Sequence, residues 1–267
     1  MSIVNTDYNI RGTAILIKDH IEVQDIKMLP DFRGISVKLG DVNIINIYAP
    51  SGSQHKRDRL TFFGEHISLL FSPAKHTIIG GDFNCVLSAK DQSGQTNICP
   101  TLTRLVNELR LQDTWELINK QKVLFTYKQH SSASRLDRIY IDTGLKVQLN
   151  SVDICPTEIS NHCGYLCSIK LPTGPIDRGR GIWKFNIRHL ADKELEEKLK
   201  QKWQYWVQLK RNFQTHIEWW LNIKHKIKSF LKSYSWEKNN ARKQYKEFLY
   251  AVLRDLYKKE TTHLQDT

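Results

Sequence analysis

The sequence predicts an α/β (α+β) fold, a two-sheet sandwich flanked by helices and followed by a basic helical extension. Three observations carry this expectation. Up to about residue 172, short β-branched runs bounded by Gly, Pro and Asn alternate with two amphipathic stretches. After residue 188 the apolar positions recur at helical spacing instead. Hydrophobic residues make up 40% of the 267, enough for the core of one large domain plus an appendage.

Strands are expected over 12–18, 34–39, 42–48, 76–81, 122–127, 136–141 and 164–170. Gly40-Asp41 reads as the hairpin turn between the second and third. Segment 56–71 reads as a helix with Leu60, Phe63, Ile67 and Leu70 on one face. Segment 101–112 reads as another, with Leu102, Leu105, Val106 and Leu109 inward and Thr101 as its cap. Pro172 to Pro175 and then Arg178 to Gly181 break the chain. The expected domains are therefore 1–172, a linker 173–188, and a Trp-rich helical region 189–267. In that region Leu195, Leu199, Trp203 and Trp206 stripe one helix over 190–209. Trp219, Ile223, Ile227, Phe230 and Tyr234, then Tyr245, Phe248 and Val252, stripe another over 215–259.

The net charge of +12 is unevenly spread. Residues 1–172 hold 19 basic and 17 acidic side chains; residues 173–267 hold 21 and 11, with six of the seven tryptophans. A basic stripe of this kind is the footprint of a nucleic-acid partner, DNA or RNA, although Lys-rich helices also serve as plain solvated faces. Cys85, Cys99, Cys155, Cys163 and Cys167 have no zinc-type spacing. Their odd number and the absence of a signal peptide point to free thiols in the nucleus or cytoplasm. No apolar run approaches the ~20 residues of a membrane span. Neither a membrane nor a small-molecule cofactor is expected.

Polar residues gather at the ends of the expected strands. Gly81-Asp82-Phe83-Asn84 follows His76 to Gly80, so a core strand delivers an Asp and an Asn into a loop. Tyr48-Ala49-Pro50 ends the strand from Val42. Ser134-Arg135-Leu136-Asp137 opens another strand, and Ser160-Asn161-His162 follows some 25 residues later. Each has a plainer reading. Gly-Asp-x-Asn is a common turn, Asp137 between Arg135 and Arg138 can be a surface ion pair, His162 can be a satisfied core histidine, and Tyr48 can be packing.

Taken in order, these four motifs resemble the endonuclease/exonuclease/phosphatase superfamily. The stretches from Gly80 to Gly94 and from Ser132 to Tyr140 are most similar to the endonuclease domain of LINE-type retrotransposons. The resemblance covers about residues 10–172 and implies a four-layer αββα sandwich. It implies phosphodiester hydrolysis of DNA with magnesium. By motif, Asp82 activates water and Asn84 positions it or the phosphate. Asp137 orients His162, His162 neutralises the scissile phosphate, and Tyr48 assists the leaving oxygen. Ser134 and Asn161 stand at phosphate-contacting positions. Two departures stand out. Asn161 replaces the family's Asp, and the family's metal-binding Glu has no counterpart, since Gly12 to Lys18 already matches the strand after it. The first strands of the fold are therefore expected to be missing, and activity reduced or lost. A non-catalytic remnant that binds nucleic acid through its basic helices is the alternative. The segment Gly179 to Asn186 resembles sequence that leads, in LINE proteins, through helices to a reverse transcriptase, which this chain does not reach.

Overall fold

The computed structural model describes residues 2–7, 11–93, 98–120, 124–129, 132–157, 159–171 and 182–263. These fall into two compact units, Met1–Gly174 with Leu253–Thr267, and Pro175–Val252. The expected linker breaks at Pro172 to Pro175 and Arg178 to Gly181 lie outside the described residues.

The first unit is built on a six-stranded mixed sheet in the order β3-β4-β5-β6-β10-β7. Its strands are β3 (Asp25–Met28), β4 (Gly34–Leu39), β5 (Val42–Tyr48), β6 (His76–Asp82), β7 (Leu111–Asp113) and β10 (Asp137–Asp142). β4 and β5 form an antiparallel hairpin through Gly40, whose φ of 57° suits the turn. β5 and β6 run parallel, and the connection between them holds α1 (Lys56–Gly64). β10 lies antiparallel to β6.

Period-two alternation decides which face each side chain takes. Ile45 and Ile47 of β5, Ile79 of β6 and Tyr140 of β10 pack under the helices with Phe62, Phe63, Ile67, Leu70 and Leu102. The intervening positions face the other way. Ile44 packs with Ile35, Val37 and Ile17, and Asn46 donates Nδ2 to the Ala14 carbonyl at 3.0 Å. Tyr48, Asp82 and Asp137 share this second face, because Tyr48 pairs with Asp82 and Asp82 with Asp137 across the ladders.

Covering that face are two separate hairpins rather than one continuous second sheet among the described residues. One is β1 (Ser2–Asp7) with β2 (Arg11–Leu16), β2 lying against β4 and β5. The other is β11 (Leu149–Cys155) with β12 (Gly164–Ile169), β12 lying against β10. A short ladder joins β8 (Tyr127–Gln129) and β9 (Ser132–Ser134).

The structure corrects several sequence expectations. A strand that was not anticipated, Ser2–Asp7, pairs along the whole of β2. β3, β7 and β11 were not anticipated, being short or polar. The helix over 56–71 breaks after Gly64, and His66–Leu70 is a 3-10 turn that still buries Ile67 and Leu70. Its partner, α2, spans Pro100–Glu108, with Cys99 rather than Thr101 at its cap position. Leu109 lies beyond its end and is exposed. Of the strand expected over 122–127, Leu124 to Thr126 are buried without being strand, and Tyr127 opens β8. Arg135 and Arg138 are not surface partners of Asp137. Both are buried, and they pair with buried Asp91 and Asp113 at 2.6–3.0 Å.

A short helix, α3 (Thr114–Ile118), is capped by the Asp113 carboxylate. Beside it Trp115, Leu124, Ile154 and Cys163 form a further cluster on which Tyr257 packs. Tyr257 Oη donates to the Phe125 carbonyl at 2.9 Å, and Arg254 pairs with Asp153 at 2.8 Å.

In the second unit, α4 (Lys193–Gln208) and α5 (His216–His263) follow one another through a 3-10 turn at Leu209–Asn212. Asp192 caps α4 through Glu194 N. Trp206 and Tyr234 are buried between the helices, and Trp206 meets Phe230 edge-on at 6.4 Å. No helix of the described residues is long and apolar enough to cross a membrane, and all five cysteines are free.

Candidate active site

Three neighbouring strands set the spacing of the site. In-register neighbours on adjacent strands stand ~4.8 Å apart, so Tyr48, Asp82 and Asp137 form a row. Gly81 makes the row possible. Its φ is 133°, and a Cβ there would stand 2.0 Å from the Ile47 carbonyl oxygen, so only glycine lets β6 lie this close to β5. Asn84, at φ 49°, then turns the chain back in the left-handed region that Asn tolerates.

That turn serves Asp82. Asn84 N donates to Asp82 Oδ1 at 2.9 Å, and Asn84 Nδ2 donates to Asp82 Oδ2 at 3.0 Å and to the Ala49 carbonyl at 2.8 Å. Burial first, and the negative charge of Asp137 second, push the Asp82 carboxyl up to about 6, against the opposing bonds from Asn84. A carboxyl in this range is ionised at neutral pH yet basic enough to accept a proton.

His162 arrives from the segment before β12. Its Nδ1 meets Asp137 Oδ2 at 2.8 Å. This bond raises the imidazole pKa above its ordinary value, burial opposes the rise, and the charges of Asp137 and Asp82 add to it. Tyr127 lies beside the ring, centroid to centroid 4.6 Å. Thr126, fully buried, ties the pieces together. Its Oγ1 accepts from Leu136 N and Asp137 N at 3.0 and 2.9 Å, and its carbonyl accepts from Cys163 N at 2.6 Å.

A cleft of about 680 Å³ opens over the row. Tyr48, Asp82, Asn84, Ser134 and His162 line it, together with Tyr127, Gln129, Gln92, Lys56 and Arg59. Asp137 joins through its bond to His162. Asn161 is exposed and does not line the cleft; its carbonyl accepts from Lys128 N at 3.1 Å. Thr126, Tyr127, Lys56 and Arg59 were not singled out from the sequence. Tyr127 and Thr126 lie outside any recognisable motif, and Arg59 is hidden within a helical pattern.

Ligand atoms of Asp82, Asp137 and His162 come within 4.8 Å of one another, the one such group among the described residues. Two carboxylate oxygens this close repel, a repulsion that adds to burial in raising Asp82, and a divalent cation relieves it. Hard oxygen donors suit magnesium, which keeps much of its water. The residues present therefore fit a cation held by two protein carboxylates.

No protein-family profile matches the chain. Among curated proteins it is similar to the Transposon TX1 uncharacterized 149 kDa protein of Xenopus laevis, 28% identical over 208 residues. That alignment covers 74% of this chain and 16% of the relative, so the chain spans about a sixth of the protein it matches. Among solved structures it is similar to an AP endonuclease from Archaeoglobus fulgidus, with TM-score 0.54 and 16% identity over 64% of this chain and 79% of that one. It is also similar to the 3′-5′ exonuclease NExo from Neisseria meningitidis, with TM-score 0.52 and 16% identity over 64% of this chain and 80% of that one. A structure of the 3′ phosphatase NExo from Neisseria bound to a product DNA hairpin gives TM-score 0.53, 16% identity, and coverage of 64% and 79%. The fold is thus that of the endonuclease/exonuclease/phosphatase group, followed by C-terminal helices, and the sequence similarity is to a transposon protein.

Proposed function

We propose that the chain carries the phosphodiester-cleaving site of a retrotransposon-derived, LINE-type DNA endonuclease. The observation that carries this reading is the convergence of Asp82, Asp137 and His162 in one cleft of a nuclease fold. Asp82 takes the proton of the attacking water, held in place by the two donors of Asn84. His162, whose hold on a proton is strengthened by its bond to Asp137, would place positive charge against the phosphate. Tyr48 and Ser134, both on the cleft wall, donate to phosphate oxygens or to the departing oxygen. Magnesium held by Asp82 and Asp137 would neutralise charge that builds up on the phosphate. With only two carboxylates in the cluster, cation affinity and turnover are low. The product is a nick with a 3′-hydroxyl, and the site of action is the nucleus or cytoplasm.

The test is nicking of supercoiled plasmid with magnesium, with chelator, and by Asp82→Ala. Magnesium-dependent nicking that disappears in Asp82→Ala supports the reading; a folded wild-type chain that never nicks refutes it.

A second reading has its own observation. Between α4 and α5 lies a groove of about 640 Å³ lined by Lys198, Lys202 and Lys226 around Trp206, Phe230 and Tyr234, with Glu237 the lone acid. We read it as a contact for DNA or RNA that needs no cleavage. Lys202→Glu with Lys226→Glu should weaken oligonucleotide binding in chelator and lower its salt dependence; unchanged binding rejects it.

A further inference from the structure

Two cysteines meet in the core beside the cleft, and the cleavage scheme uses neither. Cys85 follows Asn84 directly, and Cys99 stands at the cap position of α2. Both belong to the main apolar cluster, 1% and 4% exposed. A backbone bridge between Val86 and Ile98 draws the two segments together, and the Cys85 thiol donates to the Cys99 sulfur.

The surroundings favour negative charge on Cys99. Pro100 opens α2 without an N–H, so the first free donors of the helix are those of Thr101 and Leu102. They lend partial positive charge to the Cys99 sulfur, which lies 3.3 Å from Thr101 Oγ1. The bond from Cys85 first, then the Thr101 hydroxyl and these N–H groups, bring the Cys99 thiol down to about 5 against the effect of burial. Cys85 is pushed up, because it keeps the proton it donates to Cys99 and because it is buried. Positive charge is also at hand. Arg59 is 1% exposed, its Nη1 donates to the Pro50 and Gly52 carbonyls at 2.6 and 3.0 Å, and its Nη2 is buried with no hydrogen-bond partner. Its charge and that of buried Arg138 both favour a thiolate in the pair. A buried guanidinium is costly without negative charge nearby, and one thiolate shared between Cys85 and Cys99 supplies it.

We propose that Cys85 and Cys99 form a peroxide-sensitive disulfide site, with Cys99 the attacking sulfur and Cys85 the resolving one. The Cys99 thiolate attacks one oxygen of hydrogen peroxide. The O–O bond breaks, a sulfenic acid forms on Cys99, and hydroxide leaves. The Cys85 sulfur then attacks the Cys99 sulfur as its proton passes to the departing oxygen. The S–O bond breaks, water leaves, and a disulfide remains. The two sulfurs lose two electrons in all, and peroxide gains them. A dithiol reductant reverses the change. Cys85 lines the cleft, so an oxidant scarcely larger than water has an approach that a bulky disulfide such as oxidised glutathione lacks. The new bond anchors the chain just after Asn84, whose donors hold Asp82; the thiol chemistry does not rest on the nuclease reading.

The test is mass mapping of the full chain. Reduced protein is treated with hydrogen peroxide at neutral pH, then unfolded, alkylated with iodoacetamide and digested. The expected product is a peptide linking Cys85 to Cys99, returned to two alkylatable cysteines by dithiothreitol. Cys85→Ser should leave a sulfenic acid on Cys99 that dimedone traps, and Cys99→Ser should leave Cys85 alkylatable. If either variant does not fold, the wild-type map decides. Cys85 and Cys99 both recovered alkylated from folded protein, at a peroxide dose that oxidises them in urea, overturns the proposal. A dominant link from either to Cys155, Cys163 or Cys167 overturns the pairing, and a Cys85–Cys99 link formed equally well by oxidised glutathione overturns peroxide as the oxidant. Plasmid nicking plays no part in the readout, so a chain that never nicks refutes the nuclease reading and leaves this site standing.

Discussion

Replacing Asp82 by Asn should remove a specific pH dependence of stability. The folded carboxyl titrates at about 6, against an ordinary value of 3.8. Between these values the folded chain binds more protons than the unfolded one, so stability falls as pH rises and levels off above about 6. At about pH 4.5 the proton bound by the folded state contributes about 2 kcal/mol, and at about pH 7.5 almost none. The amide that replaces the carboxylate cannot accept from both Asn84 donors, which bond the wild-type group at 2.9 and 3.0 Å. That loss, about 1 kcal/mol, is the same at both pH values and drops out of the comparison. His162, with its raised pKa, stabilises the fold below the ordinary histidine value and loses that contribution as pH rises through its folded value. It does so in both proteins, less in Asp82→Asn, which lacks the Asp82 charge that adds to the rise. Urea unfolding of wild type and Asp82→Asn at the two pH values is the assay. The wild-type advantage should shrink by about 2 kcal/mol on going to neutral pH. Parallel pH dependence in the two proteins would mean that Asp82 is not desolvated, and the argument for its basicity would fall with it.

Gly81→Ala should be severely destabilised, by more than about 3 kcal/mol, because a Cβ meets the Ile47 carbonyl at 2.0 Å; Gly40→Ala, with open space around it but φ 57°, should cost only about 1 kcal/mol in the same melts. Asp113→Ala strips the buried Arg135 and Arg138 of a shared partner and should cost about 3–5 kcal/mol by urea titration; a loss under about 1 kcal/mol would show the network to be solvated. Nicking should fall in acid as Asp82 protonates near 6 and fall in alkali as His162 loses its proton above its ordinary pKa. A pH–rate profile that keeps rising through both ranges argues against these two roles.

The sheet and the row of polar residues at its strand ends were legible because both rest on local signals. β5 and β6 announce themselves through Asn43-Ile44-Ile45 and Ile78-Ile79, and Gly80-Gly81 marks where the strand ends. Asp82 ends β6 and Asp137 opens β10, and the pairing of these strands brings the two together, with Asn84 and His162 in the loops beside them. What stayed hidden depends on partners far along the chain. β7 is three residues, Leu111–Asp113, and exists because β10 offers an edge. Arg135 and Arg138 look like surface charges until their buried partners Asp91 and Asp113 are seen. Thr126 is one polar letter between apolar ones, yet it bonds residues on both flanks of the Asp137–His162 pair. Asn161 shows the converse, a motif position that the fold leaves at the surface.

Tyr257 has a bearing on how this chain acquires its structure. Its hydroxyl bonds a carbonyl 132 residues earlier, at Phe125, and its ring packs on Trp115, Leu124, Ile154 and Cys163. Residue 257 leaves the ribosome after all of these. The nuclease-like unit therefore cannot complete this cluster during its own synthesis; it waits, part-assembled, while about 80 further residues emerge, and the slow, long-range closure comes last. A fragment stopped at residue 174 keeps Tyr48, Asp82, Asp137 and His162 and loses this closure, so expressing it alone yields a protein with the lid of one core left off.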